Sequence, residues 1–292
     1  MEETVEACGK AILNGEHFVL HGSSALAVPL RRVRLRLRTG GVTGDPRIVA
    51  AWCAAWDLFG LAAHPSGPAP FTIDSDIPLG AGIGSSAALS VALVRWAATQ
   101  VQQAPGPAEV ARWARLVEDL FHRPSSGLDP AVVAYETPLY WHPPAAPVAL
   151  PWPFPDLDVL VAMAPGTRST AEAVARVREF ARTHPEDFDS LKARSEDLTL
   201  RLVDSLTRGT PPQRTWLRQA HGMLRVLGLS SPAIEDLVRA MESAGALGAK
   251  ISGAGMAGAV LALVPVRDRD RVARAAMSAG ALATFPGDLP LR

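Results

Sequence analysis

The segment Pro78-Leu79-Gly80-Ala81-Gly82-Ile83-Gly84-Ser85-Ser86-Ala87-Ala88 constrains this chain more than any other. Glycines at three alternate positions free the backbone to take φ > 0 and to approach a ligand without Cβ obstruction. Two serines follow, and Ala87 to Val94 reads as a helix. The segment therefore predicts a loop that brings a row of backbone N–H donors and a helix N-terminus to one point, an arrangement that binds phosphate. The serine hydroxyls add hydrogen bonds or a metal contact. This is not the usual P-loop. The only Gly-Lys pair is Gly9-Lys10, and Thr4 stands where G-x-x-x-x-G-K-[ST] requires its first glycine. The loop needs its cation from elsewhere.

With 292 residues the chain is long enough for one large domain or two ordinary ones around a sizeable core. Acidic and basic residues balance at 29 each, so no global field recruits nucleic acid or an anionic membrane. No apolar run approaches the ~20 residues of a spanning helix, and the acidic start Met1-Glu2-Glu3-Thr4 lacks the pattern of a signal peptide. Cys8 and Cys53 are too few for a disulfide framework and read as small hydrophobes. A soluble cytoplasmic protein is the expectation. Of the basic residues only Lys10, Lys192 and Lys250 are lysine, and two of these sit beside glycine-bearing motifs. Where arginine is the default, a lysine suggests a place that calls for a compact ammonium; chance placement is the alternative.

Ala11 to Leu20 and Ala25 to Leu37 read as strands separated by turns. Arg32 to Arg38 alternates arginine with apolar residues, which predicts a solvated strand face; RNA binding is the weaker reading without interleaved aromatics. Ile48 to Leu61 and Ala108 to Phe121 read as helices, and the proline-rich stretch from Tyr140 to Pro155 excludes one. Beyond it lie a buried strand from Asp158 to Ala162, helices from Thr170 to Leu206 broken at His184-Pro185, and a helix before Gly228. Further helices are expected from Ala233 to Ala244 and near Asp268 to Ala279. Mixed strands and helices on both sides of the proline-rich stretch predict two α+β domains meeting near residue 155.

Gly253-Ala254-Gly255-Met256-Ala257-Gly258 matches G-x-G-x-x-G, yet a β-like run follows it where a dinucleotide fingerprint needs a helix. What remains is a glycine turn between two strands. Glu118, near the end of an amphipathic helix, reads either as a solvated carboxylate or as a metal ligand. Asp129-Pro130 fits a helix N-cap with proline at the first helical position, or a carboxylate aimed into a cleft; local physics leaves these even. Glu16 and His17 interrupt an apolar stretch, which requires partners or a binding site.

Together these segments resemble the mevalonate kinase family, within a superfamily of small-molecule kinases that includes galactokinase, homoserine kinase and phosphomevalonate kinase. Gly9 to His17 looks like the first motif, Pro78 to Ala88 the phosphate loop, and Lys250-Ile251-Ser252-Gly253-Ala254-Gly255 the third motif. Glu118, His122, Ser126-Gly127-Leu128-Asp129, Thr167-Arg168-Ser169-Thr170 and Gly228-Leu229-Ser230-Ser231-Pro232 follow the family's order. The resemblance spans almost the whole chain. It implies an α+β, two-domain small-molecule kinase fold with the active site in the cleft. The two parts would be a ribosomal-protein-like N-terminal domain over 1–155 and a ferredoxin-like α+β C-terminal domain over 156–292.

The resemblance also implies ATP and Mg²⁺, with phosphorylation of the primary hydroxyl of mevalonate to 5-phosphomevalonate in isoprenoid precursor biosynthesis. Pro78, Gly80, Gly82, Gly84, Ser85 and Ser86 would hold the ATP phosphates, against Ser252, Gly253, Ala254 and Gly255. Ser86 and Glu118 would hold Mg²⁺. Asp129 would take or orient the hydroxyl proton, Lys10 would neighbour it, and Glu16, His17 and Arg168 would line the substrate side. This division of labour suits phosphoryl transfer, where positioning and charge stabilisation dominate. ATP and mevalonate are the expected partners, without nucleic acid or membrane; a homodimer stays open. Departures are Met256 and Ala257 in place of glycines, Arg123 and a shifted proline before Asp129, and Pro130 after it. The alternatives are a phosphomevalonate kinase or galactokinase-type sugar kinase, and then a non-catalytic nucleotide sensor. Glu16-His17 argues against homoserine kinase and phosphomevalonate kinase.

Overall fold

Two antiparallel sheets organise the computed structural model, which describes residues 4–61, 67–78, 82–121, 125–166 and 170–290. The first sheet comprises β1 (Thr4–Asn14), β2 (Ala25–Thr43), β3 (Ala69–Ser75), β4 (Leu139–Trp141) and β5 (Val148–Ala149). Its order is β1-β2-β4-β5, with β3 also paired to the long β2. Between these strands run α1 (Pro46–Asp57), α2 (Ser85–Gln100), α3 (Pro107–Glu118) and α4 (Leu128–Tyr135). Helix α2 is alanine-rich and buried on nearly every side, because it packs against β1, β2 and the other three helices. Trp52 of α1, Trp96 of α2 and Phe71 of β3 fill the adjoining core edge-on, with Phe71 and Trp96 centroids 5.4 Å apart.

The second sheet comprises β6 (Leu157–Ala164), β7 (Gly248–Ser252), β8 (Gly258–Pro265) and β9 (Ala283–Pro286). Helices α5 (Thr170–Thr183), α6 (Pro185–Arg208), α7 (Arg214–Val226) and α8 (Pro232–Ser243) separate β6 from β7, and α9 (Arg269–Ser278) separates β8 from β9. The spatial order β7-β8-β6-β9 on this connectivity is the ferredoxin-like arrangement. No helix among the described residues is long and apolar enough to cross a membrane.

Side chains of the second half close the free edge of β1. The Ile12 N–H donates to Ser252 Oγ at 2.8 Å, and the Ile12 carbonyl accepts from Lys250 Nζ at 3.1 Å. Asn14 Nδ2 donates to Thr199 Oγ1 and to the Ser195 carbonyl of α6, at 2.8 and 2.9 Å. The chain end returns to β2, where the Arg31 N–H donates to the Gly287 carbonyl at 3.0 Å. Buried Asp158 anchors that return by accepting from the N–H groups of Asp288 and Leu289. The outward-facing backbone groups of Ile12 on this edge strand are thereby satisfied without strand addition.

Several boundaries differ from expectation. The strand expected over 11–20 ends at Asn14, and Phe18–His21 forms a 3-10 turn. Gly15 at φ 98° and His17 at φ 64° turn the backbone out of β geometry there. The helix expected from Ile48 begins earlier, because the Asp45 carboxylate caps it through the Arg47 N–H with Pro46 at the first position; it ends at Asp57. The helix expected to reach Phe121 stops at Glu118. The arginine face of β2 is covered by cross-strand carboxylates: Arg36 meets Glu6 and Asp76, both at 3.0 Å, and Arg38 meets Asp74 at 2.9 Å. Cys8 and Cys53 are free, and burial pushes the Cys8 thiol up to about 12.

Candidate active site

One cleft is lined by the end of β1 with the 3-10 turn after it, the entry to α2, the end of α3, the entry to α4, the start of α5 and the turn between β7 and β8. At the α2 entry, Gly84 takes φ 89° as the N-cap, and a Cβ there would lie 2.8 Å from Lys10 Cγ. That approach and the left-handed φ both disfavour a side chain there. The first N–H groups of α2 have no intrahelical acceptor and carry the helix's positive end, equivalent to roughly half an elementary charge. Gly82, Ser85 and Gly84 line the cleft, Ser86 is half-buried and bonds to its lining residue Glu118, and Pro78 is half-buried but not among the lining residues. Gly80 lies outside the described residues.

Lys10 brings an ammonium group to the entry of α2. Its ammonium lies 2.7 Å from Asp129 Oδ2 and donates to the Gly82 carbonyl at 3.4 Å. The N-cap of α4 is Gly127 at φ 85°, so the capping alternative for Asp129 is corrected: Asp129 stands one residue inside the helix, facing the cleft. A Cβ on Gly127 would meet the Trp141 ring at 2.7 Å. Pro130 is tolerated because the first-turn N–H groups of a helix lack partners in any case.

Glu118 is buried, not solvated. Its two carboxylate oxygens accept from Ser86 Oγ at 3.3 Å and Ser125 Oγ at 2.9 Å. Burial, and then the neighbouring Asp129 charge, push its pKa up to about 7. A carboxylate desolvated beside a second carboxylate and a serine hydroxyl is a hard oxygen set that a divalent cation would relieve. Among the described residues no group of three or more His, Cys, Asp or Glu is placed to hold a metal. Ser125 escaped the sequence reading; its only signal was the Ser-Ser-Gly run before a helix. His122, Arg123 and Pro124 lie outside the described residues.

On the opposite wall, Glu16 and His17 face the cleft and bond to the second half of the chain. Glu16 contacts the Lys250 ammonium, and both are buried. His17 Nε2–H donates to the Ala254 carbonyl at 3.0 Å, since a carbonyl can only accept. The Ser252 hydroxyl is held by the Ile12 N–H, and Gly253 and Ala254 line the cleft. Gly255 lies under Leu229, whose carbonyl accepts from the Met256 N–H at 2.6 Å; the 228–232 segment thus supports the turn. Met256 takes φ 66°, a left-handed conformation that favours glycine. Thr167, Arg168 and Ser169 lie outside the described residues.

A family model for the GHMP kinases N terminal domain matches residues 48–137, and one for the GHMP kinases C terminal matches residues 212–281. The chain belongs to the GHMP kinase family. This GHMP kinase is 32% identical to the mevalonate kinase of Thermococcus sibiricus, over 97% of this chain and 95% of that one. The L. major mevalonate kinase solved in complex with R-mevalonate superimposes with a TM-score of 0.78 at 25% identity, covering 97% and 94% of the two chains. The Streptococcus pneumoniae phosphomevalonate kinase, solved with phosphomevalonate and AMPPNP, reaches 0.75 at 17% identity over 97% and 99%, a likeness of fold alone.

Proposed function

We propose that this chain transfers the γ-phosphoryl group of ATP to the primary hydroxyl of mevalonate, giving 5-phosphomevalonate and ADP. The observation that carries the reading is the contact between Lys10 and Asp129 beside the positive end of α2. It unites a phosphate cradle, a cation and a proton acceptor at one point. Asp129 accepts the hydroxyl proton as the oxygen attacks the γ-phosphorus and the bond to the bridging oxygen of ADP breaks. Lys10 then faces the charge that spreads over the equatorial oxygens. Ser86 and Glu118 would hold a Mg²⁺ ion, whose chemistry there is to neutralise the phosphates. With only one or two protein ligands, the remaining positions suit phosphate and water oxygens, as is usual for this cation.

Glu16 and His17 are assigned to the hydroxyls of mevalonate and Arg168 to its carboxylate, which a guanidinium binds through two parallel bonds. Galactose has no carboxylate for Arg168, and phosphomevalonate would bring a dianion to Asp129. The division into units over 1–155 and 156–292 is part of the same proposal, supported by the separate strands of the two sheets. A cytoplasmic location suits the two free thiols. ³¹P NMR of the product tests the regiochemistry. Three-bond coupling to a CH₂ pair is expected from the primary position, and a signal without proton coupling would place the phosphate on the tertiary hydroxyl. Asp129→Asn should lower kcat by roughly 10²–10⁴-fold while ATP affinity stays within about twofold.

A further inference from the structure

Lys250 is fully buried at the centre of β7, between the two sheets. Its ammonium donates to the Glu16 carboxylate and, at 3.1 Å, to the Ile12 carbonyl. Glu16 is itself 4% exposed, yet it lines the cleft beside Lys10, His17 and Ala254. Burial lowers the Lys250 pKa and raises that of Glu16, so either group alone is unfavourable there and each requires the other. The transfer chemistry does not use Lys250, because Lys10 already stands at Asp129. A hydrophobic residue would close the contact between β1 and β7 with less desolvation cost. A buried cation at this place therefore answers to the carboxylate that it holds.

We propose that Lys250 is a positioning residue of the substrate site. By gripping Glu16 and the Ile12 carbonyl together, it fixes the Glu16 carboxylate and cancels its charge. Glu16 can then accept a hydrogen bond from a substrate hydroxyl without repelling the carboxylate of the same substrate. The inference rests on the mevalonate reading above. It adds that the wall opposite Asp129 is tuned to an anionic polyol, and that the tuning resides in a residue the substrate never touches.

The test compares mevalonate with 3-methylpentane-1,3,5-triol, in which a neutral CH₂OH replaces the carboxylate, by calorimetric titration of the full chain. Lys250→Met should weaken mevalonate binding by at least roughly tenfold and triol binding by less than about threefold, because only the anion meets the unmasked charge. The double variant Glu16→Gln/Lys250→Met removes both charges and should bring the mevalonate-to-triol ratio back to within about threefold of wild type. Equal losses for both ligands would make Lys250 merely structural and overturn the proposal, as would no loss for either. Should Lys250→Met fail to fold, Lys250→Gln keeps an N–H donor without the charge and carries the same comparison. Wild-type protein that binds the triol but not mevalonate would defeat the substrate reading itself. Normal wild-type binding with an unchanged ratio in Lys250→Met would defeat this inference alone.

Discussion

Glu118 is buried in the cleft beside a second carboxylate. Its carboxyl keeps its proton up to about pH 7 in the folded chain, against an ordinary value of 4.5, because burial and Asp129 both oppose its charge. A raised carboxyl pKa means that ionisation costs the folded state stability. The cost is absent below pH 4.5, grows as pH rises through the window to 7, and is complete above it. Glu118→Gln should therefore melt higher than wild type at pH 8 without metal, by roughly 2–4 °C per kcal/mol relieved, and near wild type at pH 4.5. The same variant should need more Mg²⁺ for half-maximal rate, and wild-type Mg²⁺ affinity should climb as pH rises through 7, since the cation competes with the proton. Melting curves and Mg²⁺ titrations at the two pH values check both outcomes. The burial of Glu118 was not legible in a helix whose hydrophobic period leaves its last turn undecided. Nor was its partner Ser125, nor the bond from Lys250 to Glu16, which joins residues 234 apart in sequence. Only tertiary approach brings these charges together.

The elements that the sequence made legible are those with strong local chemistry. The glycine loop before α2, the proline-started α3, α6 and α8, and the glycine turn between β7 and β8 all follow from φ preferences and capping. The 3-10 turn at Phe18–His21 was not legible, because a histidine at φ 64° is held by its bond to Ala254, a contact from the far end of the chain. The entry to α2 offers a direct check. Gly84→Ala would force a Cβ against Lys10 in a left-handed backbone, so it should lose about 1–3 kcal/mol of stability and raise the KM for ATP. Gly222→Ala is the contrast. It lies inside α7 with open space around it, and alanine there should stabilise by about 0.4–1 kcal/mol with ATP kinetics unchanged. Thermal melts and ATP titrations of the two variants distinguish the roles.

At the scale of the whole molecule, the two halves complete each other. Ser252 and Lys250 satisfy the Ile12 edge of β1, α6 holds Asn14, and the returning chain end bonds to Arg31. Severing them would expose an unpaired strand edge and leave Lys250 and Glu16 without partners. Thermal unfolding should accordingly be a single calorimetric transition, and residues 1–155 expressed alone should lack a cooperative melt; two resolved transitions would contradict the interlocking. The ferredoxin-like order of the second sheet was legible only through the family resemblance, since strand periodicity does not say which strands pair. The same interlocking places the entry to α2, Lys10, Asp129, Glu16 and His17 around one cleft, which is the basis for the proposed substrate. A coupled ADP-release assay across mevalonate, galactose, homoserine and phosphomevalonate measures that assignment most directly. The account predicts a kcat/KM for mevalonate at least roughly 10²-fold above each of the others. Faster turnover of galactose, homoserine or phosphomevalonate at equal concentration would contradict it.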